Sequence, residues 1–205
     1  MKTLEVLIGT HNQGKVREFG ELLADAAVRC LSMNDVNLTV KVDETADTFE
    51  GNAVLKAVAY AGASGMLTLA DDSGLMVDAL DGAPGLYSAR YGDPGLDDAG
   101  RRFKLLNALK DVPEEARTAR FIAVIALARP QEGVIATVEG TVEGCIAFAD
   151  QDGPVGFGYD AIFIPDGFAP RSFAELSKGE KNRISHRGVA ATKLIPILRE
   201  LAEKS

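Results

Sequence analysis

Two adjacent carboxylates, Asp71 and Asp72, follow an apolar run and lead directly into Ser73-Gly74. Neighbouring carboxylates repel unless a cation lies near them. Mg²⁺ suits such a pair, because it takes one or two carboxylates and fills its shell with phosphate oxygens. A solvated acidic turn is the alternative for the same residues. Far upstream, Gly9 to Lys15 satisfies the GxxxxGK half of a P-loop, but Val16 stands where a Ser or Thr hydroxyl would bind Mg²⁺. Backbone N–H groups at a helix N-terminus beside a lysine grip phosphate. A loop that holds phosphate without its metal needs carboxylates from elsewhere, and Asp71-Asp72 are candidates. Asp43-Glu44 is another acidic pair, which reads equally as an exposed loop.

Three further groups could carry recognition. Asn52 and Lys56 lie four apart, on one face of an Ala-rich helix, where they form either a surface stripe or a second cation for phosphate. Phe157-Gly158-Tyr159-Asp160 sets two aromatics and a carboxylate in a glycine-flanked loop. Rings of this kind stack on nucleobases and the carboxylate accepts base N–H groups, with plain core packing as the rival. Lys178, Lys181, Arg183, His186 and Arg187 concentrate positive charge near Gly179 and Gly188, a cluster suited to anion or base contact or to a solvated face. Other chemistries fail on pattern. No GxSxG elbow accompanies His186, the chain has DDS where a HAD-type phosphatase has DxD, and neither histidine has partners at zinc-ligand spacing.

The elements that must position these groups follow from periodicity. Leu4–Ile8 reads as a short strand, and Val16, Phe19, Leu22 and Leu23 recur at helical spacing. A second helix is expected to start near Asp47–Thr48, with Glu50 completing a capping box from Asp47, and to stop at Gly62 or Gly65. A short strand, MLTLA, then delivers the two aspartates at its end. Asp81–Gly95, with four glycines and two prolines, reads as a long loop, followed by a helix over Asp98–Leu109. Ala119–Ala128 and Val134–Phe148 read as long strands joined by a turn at Pro130–Gly133. A short strand AIFIP, the basic stretch and a final amphipathic helix complete the chain. The result is α/β with a mixed sheet.

Composition sets limits. The 205 residues suit one domain, or one core with two lobes. A net charge of −8 repels nucleic acid and anionic membranes, so a polyanionic ligand must meet a local basic cluster. Glu5 interrupts the first apolar run and the longest apolar stretch, Phe121–Ala128, is far too short to span a bilayer. Cys30 and Cys145 lack metal-ligand spacing and fit buried, reduced thiols. A soluble cytoplasmic protein is expected, with no nucleic-acid or membrane partner.

Taken together, GTHNQGK, DETADTFEGNAVLKA, LADDSGLMVDALDGAPGLYSARYG, GFGYDAIF and ELSKGEKNRISHRG resemble, in order and over nearly the whole chain, the inosine triphosphate pyrophosphatase family. The resemblance implies one domain over residues 1–205, with a central mixed, elongated sheet flanked by helices and an active site in a cleft between two lobes. It implies hydrolysis of ITP, dITP or XTP to the monophosphate and pyrophosphate, with Mg²⁺ as cofactor and a homodimer as the assembly. Thr10, His11, Asn12, Gln13, Gly14 and Lys15 would hold the triphosphate with Asn52 and Lys56, and Ser73 would touch substrate. Asp72 and the pre-helix acid, Glu44 or the neighbouring Asp43, would bind metal with help from Asp71. Asp72 would activate the attacking water and Lys15 would stabilise the charge that develops. Phe157, Gly158, Tyr159, Asp160, Lys181, His186 and Arg187 would form the base pocket. His11, Ala46 and Ala161 depart from the family's usual Gly, Gly and Pro, and none of these removes a charged group. A related house-cleaning pyrophosphatase for other altered nucleotides, or a nucleotide-binding regulator without turnover, are the rival readings.

Overall fold

The computed structural model describes residues 3–92, 94–151, 153–154 and 156–204. Asp93 of the expected long loop and Asp152 and Val155 of the Gly-rich segment lie outside the described residues. In chain order the elements are β1 (Leu4–Ile8), α1 (Gln13–Leu22), β2 (Val28–Ser32), α2 (Phe49–Ser64), β3 (Thr68–Val77), α3 (Asp98–Ala108), β4 (Thr118–Arg129), β5 (Gly133–Ile146), β6 (Phe163–Pro165), α4 (Lys178–Ile184) and α5 (His186–Glu203). The strands form one sheet in the order β2-β1-β3-β4-β5-β6. Its β1–β2 and β1–β3 pairs are parallel and its β5–β6 pair antiparallel, so the sheet is mixed, as the sequence implies. No helix among the described residues is long and apolar enough to cross a membrane.

The chain divides into two compact units. The first comprises Met1–Asp72, Ala123–Gly140 and Arg187–Ser205; the second comprises Ser73–Ile122 and Thr141–His186. In the first unit strand alternation sorts side chains onto two faces. Ile125 and Leu127 of β4 join Leu69, Val6 and Ile8 in a cluster with Phe19 of α1 and Ala190, Leu194 and Leu198 of α5. Val124, Ala126 and Ala128 point the other way, with Ala70, against Ala53, Ala57 and Ala61 of α2. The small residues of α2 let that helix lie close on the sheet. Gly9, just after β1, has no room for a side chain, since a Cβ there would come within 2.8 Å of the Tyr60 ring. The second unit is built around Leu75, Val77, Leu105, Leu109, Phe121, Phe163 and Phe173.

Four expectations need correction. β2 was not anticipated from the sequence. β3 does not stop at the aspartates but continues for ten residues through Asp71 and Asp72 to Val77. The capping box from Asp47 is not made. Thr48 is the N-cap, accepting from Gly51 N–H, while Glu50 accepts from the Thr137 hydroxyl. The long loop after Asp81 contains a short 3-10 helix, Gly85–Arg90.

Candidate active site

Because β3 is extended through its acidic pair, successive side chains leave on opposite faces. Asp71 follows Leu69 toward α1 and α5, and Asp72 follows Ala70 toward α2. Each meets its own cations. Asp71 Oδ2 lies 3.0 Å from Lys15 Nζ and accepts from Arg187 Nε at 3.1 Å. Asp72 Oδ1 accepts from Lys56 Nζ at 2.9 Å, and Asp72 Oδ2 from Asn52 Nδ2 at 3.3 Å. The two carboxylates are therefore separated across the strand, each facing its own cations.

The Asp72 side is tied to the acidic loop before α2. Lys56 Nζ also donates to Glu44 Oε1 at 2.5 Å, and the Asn52 amide oxygen accepts from Ala46 N–H at 2.9 Å. Asn52, only 1% exposed, thus pins the Glu44 segment to the strand carrying Asp72. Of the two acids of that loop, Glu44 reaches Lys56, while Asp43 is exposed. Burial raises the Asp72 pKa, and the nearby Glu44 adds to it against the pull of Lys56. Burial acts downward on Lys56, but Asp72 and Asp71 outweigh it and its pKa ends raised. Asp72 and Glu44 converge on one positive charge, and a divalent cation could take the same place. Among the described residues no three His, Cys, Asp or Glu side chains gather as a metal cage. Asp71 leaves β3 on the other face, toward Lys15 and Arg187. Two carboxylates completed by phosphate oxygens match the habit of Mg²⁺.

On the opposite face, Arg187 Nη1 donates to Glu18 Oε2 at 2.9 Å as well as pairing with Asp71. Burial would push the Asp71 carboxyl up, yet Lys15 and then Arg187 hold it well below the usual carboxylate range. Burial pushes the Lys15 ammonium down, and Arg187 and Lys56 add repulsion that Asp71 only partly offsets. Asp71 Oδ1 is buried without a hydrogen-bond partner among the described residues, a lone-pair site open to water or a cation. Glu18 was not singled out from the sequence; its place one turn beyond Lys15 on α1 is the signal that could have found it.

The segment Thr10–Lys15 joins β1 to α1, as a strand–loop–helix reading expects. Asn12 caps α1, its amide oxygen accepting from Gly14 N–H at 2.8 Å and Lys15 N–H at 3.2 Å. Asn12 N–H donates to the Thr10 hydroxyl and Thr10 N–H to the Ile8 carbonyl. These backbone donors are satisfied locally, so Lys15 is the loop's charged contact. Gln13 is exposed, and His11 is tied away through a hydrogen bond of 2.9 Å to the Val40 carbonyl. Val16 packs against the apolar cluster of α1 and α5, so position 16 faces the core.

In the second unit, Asp160 Oδ2 accepts from Phe157 N–H at 2.7 Å and from Lys181 Nζ at 2.9 Å. The Lys181 ammonium lies 5.5 Å from the centre of the half-buried Phe157 ring. Tyr159 is part of the core, with its hydroxyl donating to the Ser88 carbonyl at 2.8 Å, and burial raises its pKa. His186 stacks on Phe121 with ring centres 4.7 Å apart and planes 9° off parallel. The basic cluster therefore divides. Lys181 and His186 are buried near this loop and its supporting core, Arg187 turns to the acids of the first unit, and Lys178 and Arg183 are exposed. Ser73 is half-buried on β3.

The sequence model of the Ham1 family matches residues 6–197. A dITP/XTP pyrophosphatase of Desulforamulus reducens is 46% identical over 199 residues, covering 97% of each chain. One of Bacillus subtilis is 46% identical over 194 residues, covering 95% of this chain and 96% of its own. A HAM1 protein from Coxiella burnetii superposes with a TM-score of 0.84 at 39% identity, over 96% of this chain and 99% of that one.

Proposed function

This chain belongs to the Ham1 family, and we propose that it is a nucleoside-triphosphate pyrophosphatase acting on purine nucleotides with altered bases, dITP, ITP and XTP. The observation that carries the chemistry is the pairing of three acids with three cations in one unit, Asp72 and Glu44 on Lys56, and Asp71 on Lys15 and Arg187.

Lys15, Lys56 and Arg187 supply the positive charge that a bound triphosphate needs and that steadies the leaving pyrophosphate. Asp72, made more basic by burial, takes a proton from the water that attacks the α-phosphorus. Asn52 and Lys56 fix where that carboxylate points. Asp72 and Glu44 would hold a divalent cation, Mg²⁺ by ligand type, which when bound neutralises phosphate charge and polarises the oxygens it touches. Nothing in the cluster resembles an activated nucleophile, so no covalent intermediate is required.

For the base, the loop Phe157–Asp160 with Lys181 and His186 offers a ring face and donors. Donors suit a 6-keto oxygen and leave a 6-amino purine unpaired, which discriminates by orders of magnitude when the site is buried. Exposed Tyr87, on the Gly/Pro-rich loop, supports a homodimer contact there, and cytoplasmic location accords with the free cysteines.

The test is product identity. Purified protein with Mg²⁺ should convert dITP to dIMP and pyrophosphate, and Asp72→Asn should lose nearly all turnover while its circular dichroism stays that of the parent. Release of orthophosphate and dIDP would overturn α-phosphorus attack, and an active Asp72→Asn would move the base elsewhere.

A further inference from the structure

Outside the cluster of acids and cations, the backbone of one residue, Gly158, is gripped on both sides. Gly158 N–H donates to Asp98 Oδ2 at 2.8 Å, and the Gly158 carbonyl accepts from Arg102 Nη1 at 2.8 Å. Asp98 and Arg102 are four residues apart in the first turns of α3, on one helix face. Arg102 is itself fixed by a two-toothed contact with Asp150, at 3.0 and 2.9 Å. Asp98 is fixed by Arg101 Nη2 at 2.6 Å. Burial alone would raise the Asp98 pKa, but the bonds from Arg101 and Gly158 N–H outweigh it and keep the carboxylate ionised. Gly158 adopts φ +63°, a left-handed conformation that a side chain would strain and that the clamp holds in place.

We propose that Asp98 and Arg102 are positioning residues for nucleobase recognition, clamping Gly158 so that Phe157 and the Asp160–Lys181 pair present a fixed surface to a purine. This rests on the reading above that the Phe157–Asp160 loop meets the base. The rest of that loop is anchored already. Phe157 N–H and Lys181 converge on Asp160, the Asp160 carbonyl accepts from Ala174 N–H at 3.2 Å, and Tyr159 is held at Ser88. Gly158 sits between these anchors, and the groups holding its backbone come from a different helix, about 60 residues earlier in the chain. A ring face and a donor recognise a planar base only if their spacing persists, so releasing the clamp costs base affinity and leaves the chemistry of the acid cluster alone.

The test uses Asp98→Ala, Asp98→Asn and Arg102→Met in the full chain. Asn keeps an oxygen acceptor for Gly158 N–H and Ala does not. Asp98→Ala and Arg102→Met should raise KM for dITP about tenfold, the worth of one such hydrogen bond, with kcat within about twofold of the parent. Asp98→Asn should recover most of the lost affinity. Independently of any substrate, hydrogen exchange at the Gly158 amide should speed up in Asp98→Ala and stay slow in Asp98→Asn. Unchanged exchange and KM, or an equal fall in kcat, overturns the clamp. Parent protein that fails to release pyrophosphate from dITP overturns the functional reading instead, while the exchange result still decides the clamp.

Discussion

Lys56 is the residue whose removal tests the acid cluster most directly. Its ammonium lies 2.9 Å from Asp72 Oδ1 and 2.5 Å from Glu44 Oε1. At an effective dielectric near 20, each contact is worth about 6 to 7 kcal/mol of attraction, against several kcal/mol to bury the charge. Glu44 is partly exposed, at 28% of its side chain, so its share is screened further. Lys56→Met keeps the stem's volume and a good helix former in α2 but leaves two acids uncompensated beside each other. Breaking a buried pair from one side costs about 3 to 5 kcal/mol. For a chain of this size that lowers Tm by roughly 6 to 20 °C in EDTA.

The same change should alter how the protein answers Mg²⁺. In the parent, a divalent cation between Asp72 and Glu44 must displace the ammonium. In Lys56→Met it meets carboxylates without that competing ammonium, and a difference of 3 to 5 kcal/mol is about a hundredfold or more in affinity. At a Mg²⁺ concentration near 100 times the variant's Kd, the stabilisation is about 2.7 kcal/mol, or roughly 5 to 11 °C. Thermal unfolding followed by fluorescence, with EDTA or a MgCl₂ series and no nucleotide, reads both effects. A variant Tm within about 2 °C of the parent in EDTA, or a Mg²⁺ shift no larger than the parent's, refutes the account of Lys56 as the charge that stands in for the cation.

Two further changes probe stability. Asp71→Asn should cost about 3 to 5 kcal/mol at pH 7, because Lys15 and Arg187 lose their shared acid. Since the folded pKa is depressed, this contribution is present above the unfolded value near about 4 and is lost as pH falls through the folded one, so urea titrations should show parent and variant converging below about pH 4, and a constant gap would contradict the sign. Arg117→Met should destabilise by about 3 kcal/mol or more, as the buried guanidinium donates to the carbonyls of Leu109, Ile146 and Ala147, which would be left unpaired; a midpoint shift below about 1 kcal/mol in urea would sink that estimate.

Much of the architecture was legible because it is local. Leu69, Phe19 and the Ala ladder of α2 announce their faces through period alone. β2 was missed because VRCLS is short, half-exposed and carries an arginine, so neither a buried run nor clean alternation marks it. The end of β3 was misplaced for a different reason. Two aspartates and a glycine inside a strand violate local propensity, and only tertiary ion pairs from α1, α2 and α5 make the extended form tolerable. Arg187 was grouped with His186 by adjacency. At the start of α5, one residue turns the side chain by about 100°, enough to send His186 to Phe121 and Arg187 to Asp71 and Glu18. Glu18, Asp98 and Arg102 had no chance of being read together with their partners, which lie far along the chain.

The strand alternation also explains why Val16 is no defect. A P-loop brings its metal to the phosphates through a hydroxyl on the helix that follows the loop. Here that position is half-buried and packs against the cluster of Phe19, Leu23 and Leu194, so a side chain there points toward the core. In the proposed reading the acids that replace it are Asp72 on β3 and Glu44 in the loop before α2, and a strand offers consecutive residues to opposite faces. One aspartate can therefore organise Lys15 and Arg187 while its neighbour, with Glu44, supplies the pair that a cation can share. Inserting one residue before Asp71 would move Asp71 to the Lys56 face and carry Asp72 to the Lys15 face two residues further along the strand, away from Lys15 and Arg187. The spacing DD is thus a geometric requirement of the β3 register, and neither aspartate can substitute for the other.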